Sequence, residues 1–415
     1  AAFADTAFVN NHNDSGPGSF RQAVLDANGN SNIDTISFDA DFYIELQSEV
    51  EYNGDQDLEI QGNGATLSGG SVGVDTDTWD SGLFVATGGA SLWIEDLDFQ
   101  KSFNNGLAVF LPQDASSDVW VWLDNVSVSQ SQFFGVIVDG QSTTGFNTDD
   151  IIHHNCSDPW PYNFGANITV VVLDSEIVQN GRLDGGYDIS LATGCPQDFD
   201  GLRVDQGDNE SFDGNLEAYL VYSHFDHNLA DGAELDEKGD GSVYAQVMGS
   251  TFNHNGDTVE ILCTAEAVAI QEEMGDEDTC EEGDLIQDLD DGFDIDEEDG
   301  GHMAAMVADT HVVGNNDEGL DFDEAGDGDI YVEVDNVEGI RNEDEALKAS
   351  EEDDGDVMVT IEDSTFKQGG DDGTQLEEEG DGNITVSVTD SRITHNAKTG
   401  IKVEQADASL PGTLD

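Results

Sequence analysis

The chain has 415 residues, with 92 acidic side chains against 11 Lys plus Arg and a formal net charge of −81 at pH 7. That balance excludes nucleic acid and anionic membrane surfaces as partners, and no segment stays apolar for the ~20 residues a membrane helix needs. Self-repulsion on this scale destabilises a compact state unless the surroundings supply counterions, either divalent ions at defined sites or bulk salt.

In chain order, Ala1-Ala2-Phe3-Ala4-Asp5 reads as a mature end left by signal-peptide cleavage, so the expected location is secreted, extracellular or on the cell surface. A short amphipathic helix comes next. Ser19 is its expected N-cap, Gln22 completes a capping box, and Phe20, Ala23, Val24 and Ala27 form the apolar face. Asp34-Thr35-Ile36-Ser37-Phe38 begins the first strand, and residues 1–38 together make a lid over the first turn of the chain's repeats.

Strand-like runs then recur at Leu92–Phe99, Val119–Val126, Ile168–Ser175 and Leu216–Val221. They end repeatedly on Asp-Ser or a close variant, as at Asp174-Ser175, Gly249-Ser250, Asp363-Ser364 and Asp390-Ser391. Two insertions are expected, residues 141–166 and 264–290, within one continuous domain covering 1–415. Four cysteines fall in or beside them, and local disulfides Cys156–Cys195 and Cys263–Cys280 are expected. His153-His154 beside Cys156 reads as a solvated turn before a transition-metal site.

From 291 to 415 the chain is regular, with a period of about 27 residues. Gly292-Phe293-Asp294-Ile295-Asp296-Glu297, Gly319-Leu320-Asp321-Phe322-Asp323-Glu324, Ala346-Leu347-Lys348-Ala349-Ser350-Glu351 and Gly373-Thr374-Gln375-Leu376-Glu377-Glu378 align in phase. Gly400-Ile401-Lys402-Val403-Glu404-Gln405 keeps the phase and loses most of the charge, and Gly232 to Glu237 is an upstream copy one insertion out of step. Each acidic turn is followed by an alternating strand: Ile330, Val332, Val334; Val357, Val359, Ile361; Ile384, Val386, Val388. A second strand follows the Gly column and a third lies near Phe366 and Ile393. Three short strands per turn and no helical spacing give an all-β, three-sheet solenoid with a short N-terminal capping helix. Asn228, Asn315, Asn342 and Asn396 each lie four residues before the Gly column, as a stacked Asn ladder requires.

The stretch Gly18-Ser19-Phe20-Arg21-Gln22-Ala23-Val24, with Ala27-Asn28 and Asp34-Thr35-Ile36-Ser37-Phe38, resembles the opening of secreted right-handed parallel β-helix repeat proteins. Leu58 to Gly69 looks like the first full coil of that family. The resemblance is close over roughly the first 70 residues, and it implies a right-handed parallel β-helix and an exported protein. It implies no single activity, because that family spans adhesins, surface structures and polysaccharide-active enzymes.

The acidic columns carry the chemistry. Glu297, Glu324, Glu351 and Glu378 share one column, Asp296, Asp323 and Glu377 the next, and Asp291, Glu318, Glu345 and Asp372 precede the Gly column. Asp327 and Asp381 sit in Gly-Asp-Gly turns, as does Asp240. Like charges stacked at ~4.8 Å repel unless a cation lies between them, and hard carboxylate oxygens suit Ca2+. Two readings stand open: ordered calcium sites, or a solvated acidic face tuned to high salt. The expected role is a structural or adhesive solenoid, with a cell-surface or polysaccharide ligand and calcium-promoted association with itself, head to tail in a filament or side by side in a bundle. The alternative is a β-helix polysaccharide lyase or glycoside hydrolase. Carboxylate pairs such as Asp149-Asp150 and Asp371-Asp372 are too abundant here to single one out, and cations that would hold an anionic substrate are scarce.

Overall fold

The computed structural model describes residues 5–70, 81–112, 115, 117–140, 166–181, 199–206, 214–256, 260–262, 285–287, 290–380 and 382–405. Each regular coil lays down three short strands. In one coil these are Leu320–Gly326, Ile330–Asp335 and Glu338–Ile340; in the next they are Lys348–Glu351, Val357–Glu362 and Thr365–Lys367. Every strand pairs in parallel with its counterpart one coil away, so that Ile330 faces Val357 and Val357 faces Ile384. The first sheet has 11 strands, from Val50–Tyr52 to Lys402–Gln405. The second and third ladders join into one 21-stranded sheet, because Leu58–Ser68 and Leu92–Gln100 run around the corner between them near the N-terminus. The chain is therefore a mostly β, right-handed parallel β-helix with one short helix among the described residues, the hand being the one parallel crossovers adopt.

Period-two alternation decides what enters the core. Ile330, Val332, Val334, Val357, Val359 and Ile361 are buried, whereas in the last described coil Ile384 is buried, Val386 half-buried and Val388 40% exposed. Phe225 stacks on Phe252 at 5.0 Å, and Phe252 packs at a tilt on Phe293 at 5.4 Å. The Asn ladder is formed over Asn180, Asn228, Asn255, Asn315 and Asn342, which follow one another; Gly369 takes the next position and its N–H donates to Asn396 Oδ1 at 3.0 Å, so Asn396 stands beyond a break in the ladder. Each backbone N–H from Asn180 to Asn315 donates to the next residue's Oδ1 at 3.1 Å. The side-chain amides of Asn228, Asn255 and Asn315 donate to core carbonyls of an adjacent coil. The recurring Asp-Ser ending is the corner between the second and third sheets. Asp174, Asp309, Asn336, Asp363 and Asp390 adopt φ between 44 and 54 there, a left-handed backbone that Asp and Asn tolerate. The serine hydroxyl after it caps the neighbouring coil, as when Ser364 Oγ accepts from Val337 N at 3.0 Å.

The helix Phe20–Gly29 closes the first end. Ser19 accepts from Gln22 N at 3.2 Å, while the Gln22 side chain donates instead to Asp26 Oδ1, so only one half of the capping box forms. Phe20, Ala23, Val24 and Ala27 are buried, and Phe20 packs on Phe38 and Phe84. Arg21 donates to the Ser48 and Glu49 carbonyls and pairs with Asp14, which ties the lid to the first coil. Ala233–Glu237 pairs directly with Phe293–Glu297, so the second insertion leaves the stack unbroken. Glu260–Leu262 and Leu285–Gln287 pair antiparallel at its two ends. Both expected disulfides, His153-His154 and the tail after 405 lie outside the described residues.

Candidate cation-binding site

On the first sheet, neighbouring acidic positions point in opposite directions, because successive side chains of a strand alternate faces. In Leu320–Gly326, Leu320, Phe322 and Glu324 face inward, with Asp321 and Asp323 between them on the outer face. The Glu297/Glu324/Glu351/Glu378 column and the Asp296/Asp323/Glu377 column are adjacent in sequence and cannot share one ion. They belong to separate sites.

On the outer face, one row runs Arg203, Glu234, Asp294, Asp321, and the next runs Asp205, Asp236, Asp296, Asp323. Cations sit at both ends of this patch. Arg203 pairs with Asp200, Asp205, Glu234 and Asp236, and Lys238 with Asp236. Lys348 Nζ lies 2.9 Å from Asp321, 3.0 Å from Asp323 and 3.9 Å from Glu318. On the coil between them, no Lys or Arg among the described residues pairs with Asp291, Asp294 or Asp296. Asp291, Asp294 and Asp321 each bring a carboxylate oxygen within 4.8 Å of the others, and so do Glu234, Asp294 and Asp296. Asp291, Asp317 and Glu318 form a further group, as do Glu318, Asp344 and Glu345. Asp291 Oδ1 is buried without a hydrogen-bond partner.

The electrostatics follow from this crowding. Burial first, then Asp321, raises the Asp291 carboxyl well above the usual range; burial and Asp296 do the same to Asp294, and burial and Asp236 to Asp296. Burial and Asp321 push Glu318 up to about 10. Asp323 rises only to about 7, because Lys348 opposes burial and Asp321. Burial lowers Lys348, but Asp321, Asp323 and Glu318 outweigh it and the ammonium is held charged. Six to eight oxygens at 2.3–2.6 Å are what calcium takes, and the middle coil of this patch concentrates carboxylates with no Lys or Arg paired to Asp291, Asp294 or Asp296 among the described residues.

The inner column runs Gln206, Glu237, Glu297, Glu324, Glu351, Glu378, Gln405, each opposite the next in register. All of it up to Glu378 is buried. Each central glutamate accepts a turn N–H on Oε1: Gly301 on Glu297 at 2.8 Å, Gly328 on Glu324 at 3.0 Å, Asp353 on Glu351 at 3.0 Å. The other oxygen, Oε2, accepts from no N–H in Glu297, Glu324 or Glu351; the Glu324 carboxyl instead lies in hydrogen-bond range of the Glu297 and Glu351 carboxyls. Burial, with the Glu324 carboxyl beside it, pushes Glu297 up to about 10, and burial pushes Glu351 up to about 8.

The column before the Gly position has a backbone role. Asp231 N donates to Asp200 Oδ1, Asp291 N to Asp231 Oδ1, Asp372 N to Glu345 Oε1 and Thr399 N to Asp372 Oδ1, one coil linked to the next. Asp327 is exposed in its turn, Glu377 pairs with Lys402 at 3.3 Å, and Asp381 lies outside the described residues. Sequence reasoning missed Asp294, Asp321, Glu234, Asp317 and Asp344. The period-two rule carried the signal for the first two, since Asp294 and Asp321 precede Asp296 and Asp323 by one full alternation.

No protein-family model matches the chain, and no curated protein matches it. Among solved structures it is similar to the pectate lyase Pel9A, at 12% identity over 94% of this chain and 78% of that one, with a TM-score of 0.41. It is also similar to the endo-xylogalacturonan hydrolase from Aspergillus tubingensis, at 12% identity over 99% of both chains and a TM-score of 0.39. The surface protein and adhesin PfbA of Streptococcus pneumoniae matches at 12% identity over 92% of this chain and 94% of that one, TM-score 0.36. No activity is carried from these proteins to this one.

Proposed function

We propose that this protein is an exported structural or adhesive β-solenoid whose outer acidic face is held together by calcium. The carrying observation is the Asp291/Asp294/Asp321 group, which combines three converging carboxylates, an unpartnered buried Asp291 oxygen and no protein cation in ion-pair range of Asp291 or Asp294 among the described residues. Lys348 and Arg203 supply charge at the flanking coils; an ion in the middle completes the row. Glu318, Asp317, Asp344 and Glu345 extend the same track toward the C-terminal coils. Calcium neutralisation also lowers the repulsion between two such chains, which supports their association with each other.

The test is a thermal melt in EGTA, in millimolar calcium, in millimolar magnesium and in molar NaCl. A ligand that binds only the folded state stabilises it in proportion to the logarithm of its concentration over Kd. A calcium-specific rise in Tm that the Asp294→Asn, Asp321→Asn double variant loses supports the reading. A rise in molar salt alone, equal in both proteins, replaces it with a solvated acidic face.

A further inference from the structure

The inner column stands apart from the calcium reading, and its two ends differ chemically from its middle. At one end Gln206 Nε2 donates to the Ala166 carbonyl at 2.7 Å. At the other, Gln405 Nε2 donates to the Gly382 carbonyl at 2.9 Å and lies 3.4 Å from Glu378 Oε2. Ala166 and Gly382 occupy the same coil position, two residues before the strands Ile168–Leu173 and Ile384–Thr389. Each terminal amide thus places a positively polarised nitrogen against the turn carbonyl of the preceding coil.

The central rungs meet the same carbonyls with oxygen only. A Cβ at Gly328 would overlap both the Gly301 carbonyl oxygen and Glu324 Oε1, and one at Gly301 would overlap the Gly241 carbonyl oxygen and Glu297 Oε1. Gly355 stands in the same relation to Gly328 and Glu351. Acceptors therefore converge from two coils at each rung, each Oε2 receives no N–H and has only the carboxyls of adjacent rungs beside it, and no side-chain amide among the described residues supplies what Gln206 and Gln405 supply at the ends. Buried acceptors with no donor are costly, and buried carboxylates more so.

We propose that singly charged alkali cations sit between the rungs Glu297, Glu324 and Glu351, each where a terminal glutamine would place its amide nitrogen. Each ion is held by the Oε2 atoms of two successive glutamates and a glycine-turn carbonyl. The class follows from charge and ligand number. A rung brings one negative charge. Coils stacked ~4.8 Å apart bring successive carboxyls near enough for two of them to grip one ion. Few oxygens converge in a dry interior, short of the six to eight that calcium takes and of magnesium's octahedral shell. Backbone carbonyls in a narrow passage are known ligands for such ions.

The experiment compares melts at one ionic strength, with EGTA throughout, in choline, sodium, potassium and rubidium chloride. The wild-type protein is expected to melt several degrees lower in choline than in its preferred alkali salt, with a clear order among the alkali ions. Glu324→Gln places at rung 324 the residue type that both ends already carry. It is expected to melt higher than the wild type in choline and to lose part of the alkali response. Crystals soaked in rubidium are expected to show anomalous peaks spaced by one coil along the column. Identical wild-type melting in choline and in every alkali salt overturns the proposal, as does a column without rubidium peaks. Stabilisation that follows pH alone and ignores the alkali ion also overturns it, assigning the rungs to shared protons. Because EGTA is present throughout, none of these failures bears on calcium at the outer face.

Discussion

Replacing Lys348 by Met tests the outer face where its geometry is best defined. The ammonium holds three acids, Asp321, Asp323 and Glu318, with its own side chain 21% exposed and those of Asp321 and Glu318 each 9% exposed. Removing one partner of a buried ion pair costs about 3–5 kcal/mol, because the remaining charges lose their compensation. Partial exposure lets solvent screen some of that, so about 2–3 kcal/mol is expected in EGTA. Met keeps the aliphatic volume, which confines the loss to charge. The vacated acids gain affinity for calcium, and an ion at one hundred times its Kd returns about 2.7 kcal/mol. Urea unfolding with and without calcium reads both quantities, and the slope with denaturant should stay constant. A loss under about 0.5 kcal/mol, the range of ordinary surface changes, or a loss that calcium leaves untouched, refutes this account of the face.

Other expected outcomes address the scaffold and the inner column. Asn315→Ala removes the acceptor for Asn255 N and the donor to the Phe252 carbonyl. It should cost about 3 kcal/mol in chemical denaturation, since each buried group left unpaired costs about 1–3 kcal/mol. Gly328→Ala forces a methyl into the Gly301 carbonyl and the Glu324 carboxylate. It should cost about 1–3 kcal/mol, whereas an alanine at Asp327, exposed in the same turn, should be near neutral in the same assay. In EGTA and choline, stability should fall as pH rises from the ordinary Glu range of about 4.3 through Glu351 near about 8 and Glu297 near about 10. The sign follows because the folded state keeps protons that the unfolded chain has released across that window. Alkali ions should flatten the slope, and melts at stepped pH would expose a slope of the opposite sign.

The repeat made the coil legible before any coordinates, because a 27-residue period survives in Phe293, Leu320, Leu347 and the strands from Ile330, Val357 and Ile384. The Asn ladder was visible only where coils are regular. Asn180 and Asn255 are not legible because their ladder partners lie 48 and 60 residues on, not one 27-residue period. The acidic columns are legible in the sequence as two adjacent columns, and the reversal of faces between adjacent strand residues sends Asp296 outward and Glu297 inward. Asp294 and Asp321 were passed over because each lies between two apolar residues and reads as part of the strand. The exchange of Glu for Gln at 206 and 405 became meaningful only once the register placed both on the column.

Equilibrium dialysis against graded calcium, in a background of molar potassium chloride, addresses the central claim most directly. The account expects saturable binding at defined stoichiometry, with Asp294→Asn, Asp321→Asn holding at least one ion fewer than the wild type. Binding that rises without saturation, and equally in both proteins, would reduce the outer face to a screened cloud of charge and contradict the calcium-held solenoid.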